Sequence, residues 1–247
     1  MNEQEAIKAY MRRRGITRIR PTAALIDMDG TLYDSMGNHA DAWYRLISGI
    51  GIECTRDEFF LYEGRTGAST INLLFNRAYG HDAAPEEAKE LYHKKTLYFS
   101  DMPPVSPMPG AKEMVNTFLS NNITTVLVTG SGQNTLLNRL DTDYPGAFPT
   151  ERRITSHDVK RGKPDPEPFI KAMTIVNASP EECIAVDNAP LGVKSGAASG
   201  AFTIGVTTGP IPREELSKAG ADIVYSSMTE LAQRLPILIS IILQTGK

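Results

Sequence analysis

Two aspartates, Asp27 and Asp29, stand one residue apart at the close of an apolar run, in the segment "ALIDMDGTLYDS". Alternate residues of an extended segment project to the same side, so both carboxylates address one pocket. Two like charges so close are costly unless a cation or a shared proton intervenes. A hard divalent cation with oxygen ligands meets that need, Mg2+ being the common case. For the pair taken alone, an acidic turn punctuated by Asp29-Gly30 is the competing explanation. A calcium loop fails on spacing: Gly30 comes too early, and Asn38, twelfth from Asp27, stands where a bidentate Glu is needed.

The elements that must position this pair are short apolar runs: Ala23–Ile26, Thr125–Val128, Ile184–Val186, Phe202–Val206 and Ile223–Tyr225. Most are followed by a polar or glycine-containing turn and then a helix-like segment. That alternation predicts an α/β fold with a buried, mainly parallel sheet. Ligands of such sheets bind beyond the carboxyl ends of the strands, where the two aspartates fall. Between 38 and 103 the periodicity turns helical: Trp43, Leu46, Ile47 and Ile50 share one face, and Ala88, Leu91 and Tyr92 another. "PPVSPMPG" (103–110) then interrupts any helix. The expected organisation is a core of 1–37 and 104–247 with an all-helical insert at 38–103.

Composition narrows the partners. A net charge of −3 gives no footprint for nucleic acid or an anionic membrane. Cys54 and Cys183 lack metal-ligand spacing and suit a reduced cytoplasmic protein. The start lacks the apolar core of a secretory signal. "LPILISIILQ" near the end is about half the length needed to span a bilayer and predicts a buried terminal helix. Residues 1–20, with "MRRRGITRIR", are expected to form a solvated or disordered extension rather than a basic helix with an acidic partner. The oligomeric state is not written in the residues, and a monomer fits.

The run "DMDGTLYDS" resembles the first motif of the haloacid dehalogenase-like (HAD) phosphohydrolases, and the resemblance continues from residue 22 onward. "VLVTGSG", ending a strand at Thr129, is similar to the second motif. "KRGKPDPEPF", around Lys163, is similar to the third, and "IAVDNAPLGV", with Asp187, to the fourth. The resemblance implies a Rossmann-like core with a helical cap and a small phosphorylated substrate. It implies that Asp27 attacks phosphorus to give an aspartyl phosphate, and that Asp29 protonates the leaving oxygen and then activates water. Thr129 and Lys163 would neutralise the transferring oxygens. Mg2+ would be held by Asp27, the Asp29 carbonyl, Asp187 and Asn188. The second aspartate argues against literal dehalogenation, which needs no leaving-group proton.

Within that superfamily the chain looks like the β-phosphoglucomutase branch, which places His39 at a cap hinge and Lys95 as a cap lysine reaching the site. Arg65 and Gly130 complete the substrate-side set. Two departures stand out. Where mutases carry Lys-Gly-x-x-Arg, "EGRTGAST" puts Glu63 at the Lys and Gly67 at the Arg. Where Glu-Asp is usual, the chain has Asp187-Asn188. Glu63 is expected to supply the anionic metal ligand that the amide of Asn188 does not. These features together are similar to a bacterial inorganic pyrophosphatase of the same branch. Hydrolysis of pyrophosphate, with small sugar phosphates second, is therefore expected. A β-phosphoglucomutase and a non-catalytic phosphate-binding regulator are the alternatives.

Overall fold

The computed structural model describes residues 2–132 and 134–245. The apolar runs become strands because helices cover both of their faces. β1 (Ala23–Ile26), β2 (Thr124–Val128), β3 (Arg153–Ile154), β4 (Cys183–Asp187), β5 (Phe202–Val206) and β6 (Ile223–Tyr225) form one parallel six-stranded sheet, in the order β3-β2-β1-β4-β5-β6. Successive residues of each strand serve opposite cores. Ala24, Ile26, Ile184 and Val186 join one apolar cluster, and Ala23, Leu25, Cys183 and Ala185 another. β3, only two residues long, is the strand the sequence pattern does not reveal.

α1 (Glu3–Arg14) precedes the sheet. Between β1 and β2 come α2 (Met36–Gly49), α3 (Glu58–Leu61), α4 (Gly67–Tyr79) and α5 (Pro85–Ser100), which share an apolar cluster of their own built on Leu46, Phe59, Ile71 and Leu74. The first of these helices begins two residues before the insert expected at 38. The remainder are α6 (Ala111–Ser120), α7 (Asn134–Leu137), α8 (Leu140–Asp143), α9 (Glu167–Ile175), α10 (Pro190–Ser199), α11 (Arg213–Lys218) and α12 (Met228–Gln244). α12 buries Leu231, Leu235, Leu238 and Ile242 against the sheet, as expected of the apolar terminal run. Among the described residues no helix is long and apolar enough to cross a membrane.

The expectation of a solvated N-terminal extension is wrong. Asn2 accepts from the Glu5 amide at 2.9 Å while Glu5 accepts from the Asn2 amide at 3.1 Å, a capping box that starts α1. Ala6, Ile7 and Tyr10 are buried, and the Tyr10 hydroxyl donates to the Gly200 carbonyl at 2.8 Å. Arg234 reaches both oxygens of Glu3 at 2.7 Å, and Arg13 pairs with Asp222 at 2.7 Å. The helix is bolted to the core at both ends.

Candidate active site

β1 lies between β2 and β4, so the chain crosses over in opposite senses on its two sides and leaves a crevice beyond the strand ends. The Asp27 amide donates to the Val186 carbonyl at 3.0 Å. This extends the ladder one step past β1 and sets Asp27 beside Asp187, the last residue of β4. Lys163, from the proline-rich loop before α9, donates to Asp27 Oδ1 at 2.5 Å and to Asp187 Oδ2 at 2.8 Å. The other Asp187 oxygen accepts from the Ala189 amide at 3.0 Å. Thr129 follows β2, where its amide donates to the Ile154 carbonyl at 2.9 Å and its hydroxyl accepts from the Ser131 amide at 3.0 Å. Even so short a strand as β3 therefore has a use: it fixes Thr129.

Asp29 faces the helical insert. Its Oδ1 accepts from Ser35 Oγ at 2.7 Å and pairs with His39 Nε2 at 2.9 Å. His39 Nδ1 lies 2.5 Å from Lys95 Nζ. With Lys95 an ammonium, Nδ1 must accept, so Nε2 carries the proton shared with Asp29 and the imidazole is neutral. The Lys95 ammonium also lies over the rings of Trp43 and Phe99, 5.4 and 5.2 Å from their centroids. The face of α5 that puts Lys95 among apolar neighbours thus buries its charge, with a histidine to receive it. On the opposite side Asn188 Nδ2 donates to Glu63 Oε2 at 3.0 Å, and Thr31 Oγ1 donates to Asn188 Oδ1 at 3.4 Å.

Burial sets the protonation of these groups. It pushes the Asp27 carboxyl up, to about 8, with Asp187 and Asp29 adding to the rise and Lys163 opposing it. Burial likewise lifts Glu63 well above the usual carboxylate range, reinforced by Asp27, Asp187 and Asp29 against the Asn188 bond. At Asp29 burial acts in the same direction, but His39, Ser35 and Lys95 outweigh it and hold the carboxyl below its ordinary value. Burial and Lys95 lower His39 against the pull of Asp29. Burial also brings Lys95 down to about 7, although Asp29 favours its charge. Lys163 moves the other way: burial would lower it, yet Asp187 and Asp27 raise it above the ordinary lysine range.

The donor set suits a hard cation. Asp27, Glu63 and Asp187 are buried carboxylates, Asp187 disfavouring the charge of the other two, beside the amide oxygen of Asn188, and hard divalent ions take oxygen ligands of this kind. As the side chains stand, no group of three or more His, Cys, Asp or Glu among the described residues is placed to grip a metal. Lys163 sits between two of the carboxylates instead, and Glu63 leans on Asn188.

Asp27, Asp29, His39, Glu63, Arg65, Lys95, Thr129, Gly130, Asp187 and Asn188 all line one cavity of about 60 Å³, and Lys163 joins them through its ammonium. At ~30 Å³ per water in the liquid, such a volume corresponds to about two waters. The insert closes over it. A methyl group on Gly130 would lie 2.4 Å from the Gly64 carbonyl oxygen and 2.8 Å from that of Arg65, so insert and core meet backbone against backbone. A methyl group on Gly67 would lie 2.1 Å from Cδ2 of Tyr92. The tyrosine ring therefore lies on α4 where a longer residue 67 would project, and its hydroxyl accepts from the Gly132 amide at 3.3 Å.

Three contributors were missed in the sequence. Tyr92 and Trp43 read as core because they lie on apolar helical faces, yet both line the cavity. Ser35, within the first motif, was unassigned and fixes Asp29.

A parallel sheet with carboxylates at adjacent strand ends, a lysine bridging them and a helical roof defines a phosphoryl-transfer α/β enzyme. The profile of haloacid dehalogenase-like hydrolases matches residues 21–200, and the chain belongs to that family. It is 28% identical over 211 residues to validoxylamine A 7'-phosphate phosphatase of Streptomyces hygroscopicus subsp. limoneus, covering 84% of this chain and 94% of that protein. It is 27% identical to hexitol phosphatase A of Escherichia coli, covering 84% and 91%. A solved structure of a candidate β-phosphoglucomutase from Bacteroides vulgatus superposes with a TM-score of 0.93 at 42% identity, covering 97% and 98% of the two chains. The chain is a phosphatase enzyme of this family, which leaves the non-catalytic regulator without support.

Proposed function

We propose that the chain is a Mg2+-dependent hydrolase of small phosphate compounds, inorganic pyrophosphate first and small sugar phosphates second, acting through a phosphoryl group carried on Asp27. The observation that carries this reading is the size and closure of the cavity: about 60 Å³, with Tyr92 laid against Gly67. A sugar mutase needs a clamp for a second, distant phosphate. At the position where its arginine would stand, the chain has a glycine covered by an aromatic ring.

In this reading residues 38–103 act as a cap on a core of 1–37 and 104–247. Asp27 attacks phosphorus through a carboxylate oxygen, and the bond to the leaving oxygen breaks. Asp29 then takes a proton from water, the water oxygen attacks the phosphorus of the aspartyl phosphate, and the Asp27 carboxylate is released. Thr129 donates a hydrogen bond to the phosphoryl group, while Lys163 neutralises its charge and that of Asp27 and Asp187. Lys95 and Arg65 bring positive charge to the leaving side. Mg2+, held by Asp27, Asp187, Asn188, the Asp29 carbonyl and Glu63, would neutralise the carboxylates and polarise the phosphoryl oxygens.

The electrostatics favour an anhydride over an ester. Asp29 is held ionised by His39 and Ser35, a state suited to a base. An alkoxide leaving group needs a proton from it, whereas a phosphate leaves as a stable anion. The free cysteines Cys54 and Cys183 suit the reducing cytoplasm, which is the compartment we propose.

The test compares turnover of pyrophosphate with that of hexose 1- and 6-phosphates, with and without Mg2+. Pyrophosphate should lead in kcat/KM, and Tyr92→Ala should move the preference about tenfold toward hexose phosphates. A wild-type enzyme preferring hexose phosphates would sink the substrate assignment. The mutase alternative, favoured by the name of the Bacteroides vulgatus relative, is separated by incubation with β-glucose 1-phosphate and a bisphosphate primer. Formation of glucose 6-phosphate rather than free phosphate would decide for it.

A further inference from the structure

Beyond Arg65 a second, wider hollow of about 500 Å³ follows the seam between insert and core. Arg65, Lys160, Arg161 and Lys163 line it against one carboxylate, Asp165, in a chain whose net charge is −3. Lys163 is neutralised by Asp27 and Asp187. Arg161 is held by Asp165 at 2.8 Å and Glu167 at 3.7 Å. The other two cations are not matched. Among the described residues the Lys160 ammonium has no carboxylate partner, only its backbone amide being engaged, by Glu167. Arg65 donates Nη1 to Ser69 Oγ at 3.0 Å, but its Nε is buried with no partner. A buried N–H left unbonded is uncommon and costly in a folded chain, so Arg65, which borders both hollows, wants an acceptor beside it. The hydroxyls of Thr66 and Ser69 stand in the same wall, each accepting a bond and so keeping its hydrogen to donate.

We infer that this hollow binds a phosphate-type oxyanion, gripped from the insert by Arg65 and Ser69 and from the core by Lys160. The site adjoins the cavity in which Asp27 reacts and shares Arg65 with it, but its occupancy does not depend on hydrolysis. An anion held from both sides of the seam ties insert to core, so its binding and closure of the insert favour each other. Free inorganic phosphate and the distal phosphate of a longer polyphosphate share the required chemistry.

Calorimetric titration with inorganic phosphate tests the site, using the wild type, Lys160→Glu and, as a control for charge alone, Lys112→Glu. Two phosphates should bind the wild type and Lys112→Glu. One should bind Lys160→Glu, the other being weakened at least about tenfold by loss of a charge-assisted bond. One phosphate in all three proteins, or two in all three, overturns the inference. Lys160 is exposed, and Lys160→Ala replaces the reversal if that variant fails to fold. Kinetics then separate the sources. A raised KM for tripolyphosphate with that for pyrophosphate unchanged identifies the tail of a substrate. Loss of a non-competitive component of phosphate inhibition identifies the free ion. A wild type that turns over no phosphate compound ends the hydrolysis reading, while the titration still decides this one.

Discussion

Among the described residues, two groups of buried carboxylates differ in how their charges are matched. Around α1 the two buried carboxylates each have a cation: Glu3 is forked by Arg234, and Asp222, though burial lifts it, is met by Arg13 and by the Thr203 amide at 2.9 Å. Its partners hold Glu3 below the usual carboxylate range, the Arg234 bond first, although burial pulls the other way. At the strand ends Asp27, Asp29, Glu63 and Asp187 face Lys163 and a lysine whose own proton is half lost near neutrality. There Asp27 and Glu63 are driven upward. One cluster is complete in the folded chain. The other is left short of positive charge, and a deficit of that kind is what working sites carry.

The largest effect belongs to Asp27→Asn. Turnover should fall by at least about 10³-fold in a phosphate-release assay if Asp27 is the nucleophile we propose. The same change should raise thermal stability, and the sign follows from linkage. Between the ordinary aspartate value and about 8 the folded state holds a proton that the unfolded chain gives up, so wild-type stability from this group falls as pH rises through that window. The gap between variant and wild type should therefore widen from pH 5 to pH 8. An equal gap at both would mean that this carboxyl is not strained.

Glu63→Gln should weaken Mg2+ activation by about 10- to 100-fold, as removal of a supporting ligand does, while also stabilising the metal-free protein. Unchanged metal dependence would retire Glu63 as a ligand. Next comes pH. Lys95 is charged below about 7 and neutral above it, so kcat/KM for an anionic substrate should decline as pH rises through that value. Lys95→Arg, which keeps its charge, should carry the decline to higher pH. A profile that does not move assigns the limb to another group. The smallest catalytic effect is expected at the balanced cluster. Glu3→Ala should cost about 1–3 kcal/mol in denaturant unfolding and leave kcat and KM unaltered.

The two clusters also differ in how far the sequence disclosed them. Asp27, Thr129 and Asp187 could be placed because each ends an apolar run, and strand order does the rest. Lys163 came from a motif whose loop is local. Tyr92 escaped notice because its task depends on Gly67, in a different helix, having no side chain to keep the ring away. The pairs Glu3–Arg234 and Arg13–Asp222 join opposite ends of the chain and leave no periodic trace. α1 was misjudged because three arginines crowd its last turn, although Asn2 and Glu5 carried a starting signal that the buried Ala6, Ile7 and Tyr10 complete. β3 was invisible for want of length, since two residues show no alternation.

The seam at Gly130 has a kinetic corollary. Where main chain rests on main chain, rotating a side group cannot make a doorway. Were product release to need a swing of the insert, its four helices would move on their shared apolar cluster as one block, displacing solvent as they go. Turnover would then have a hydrodynamic ceiling as well as a chemical one, and a thicker medium should lower it even for a substrate whose bond breaks at once.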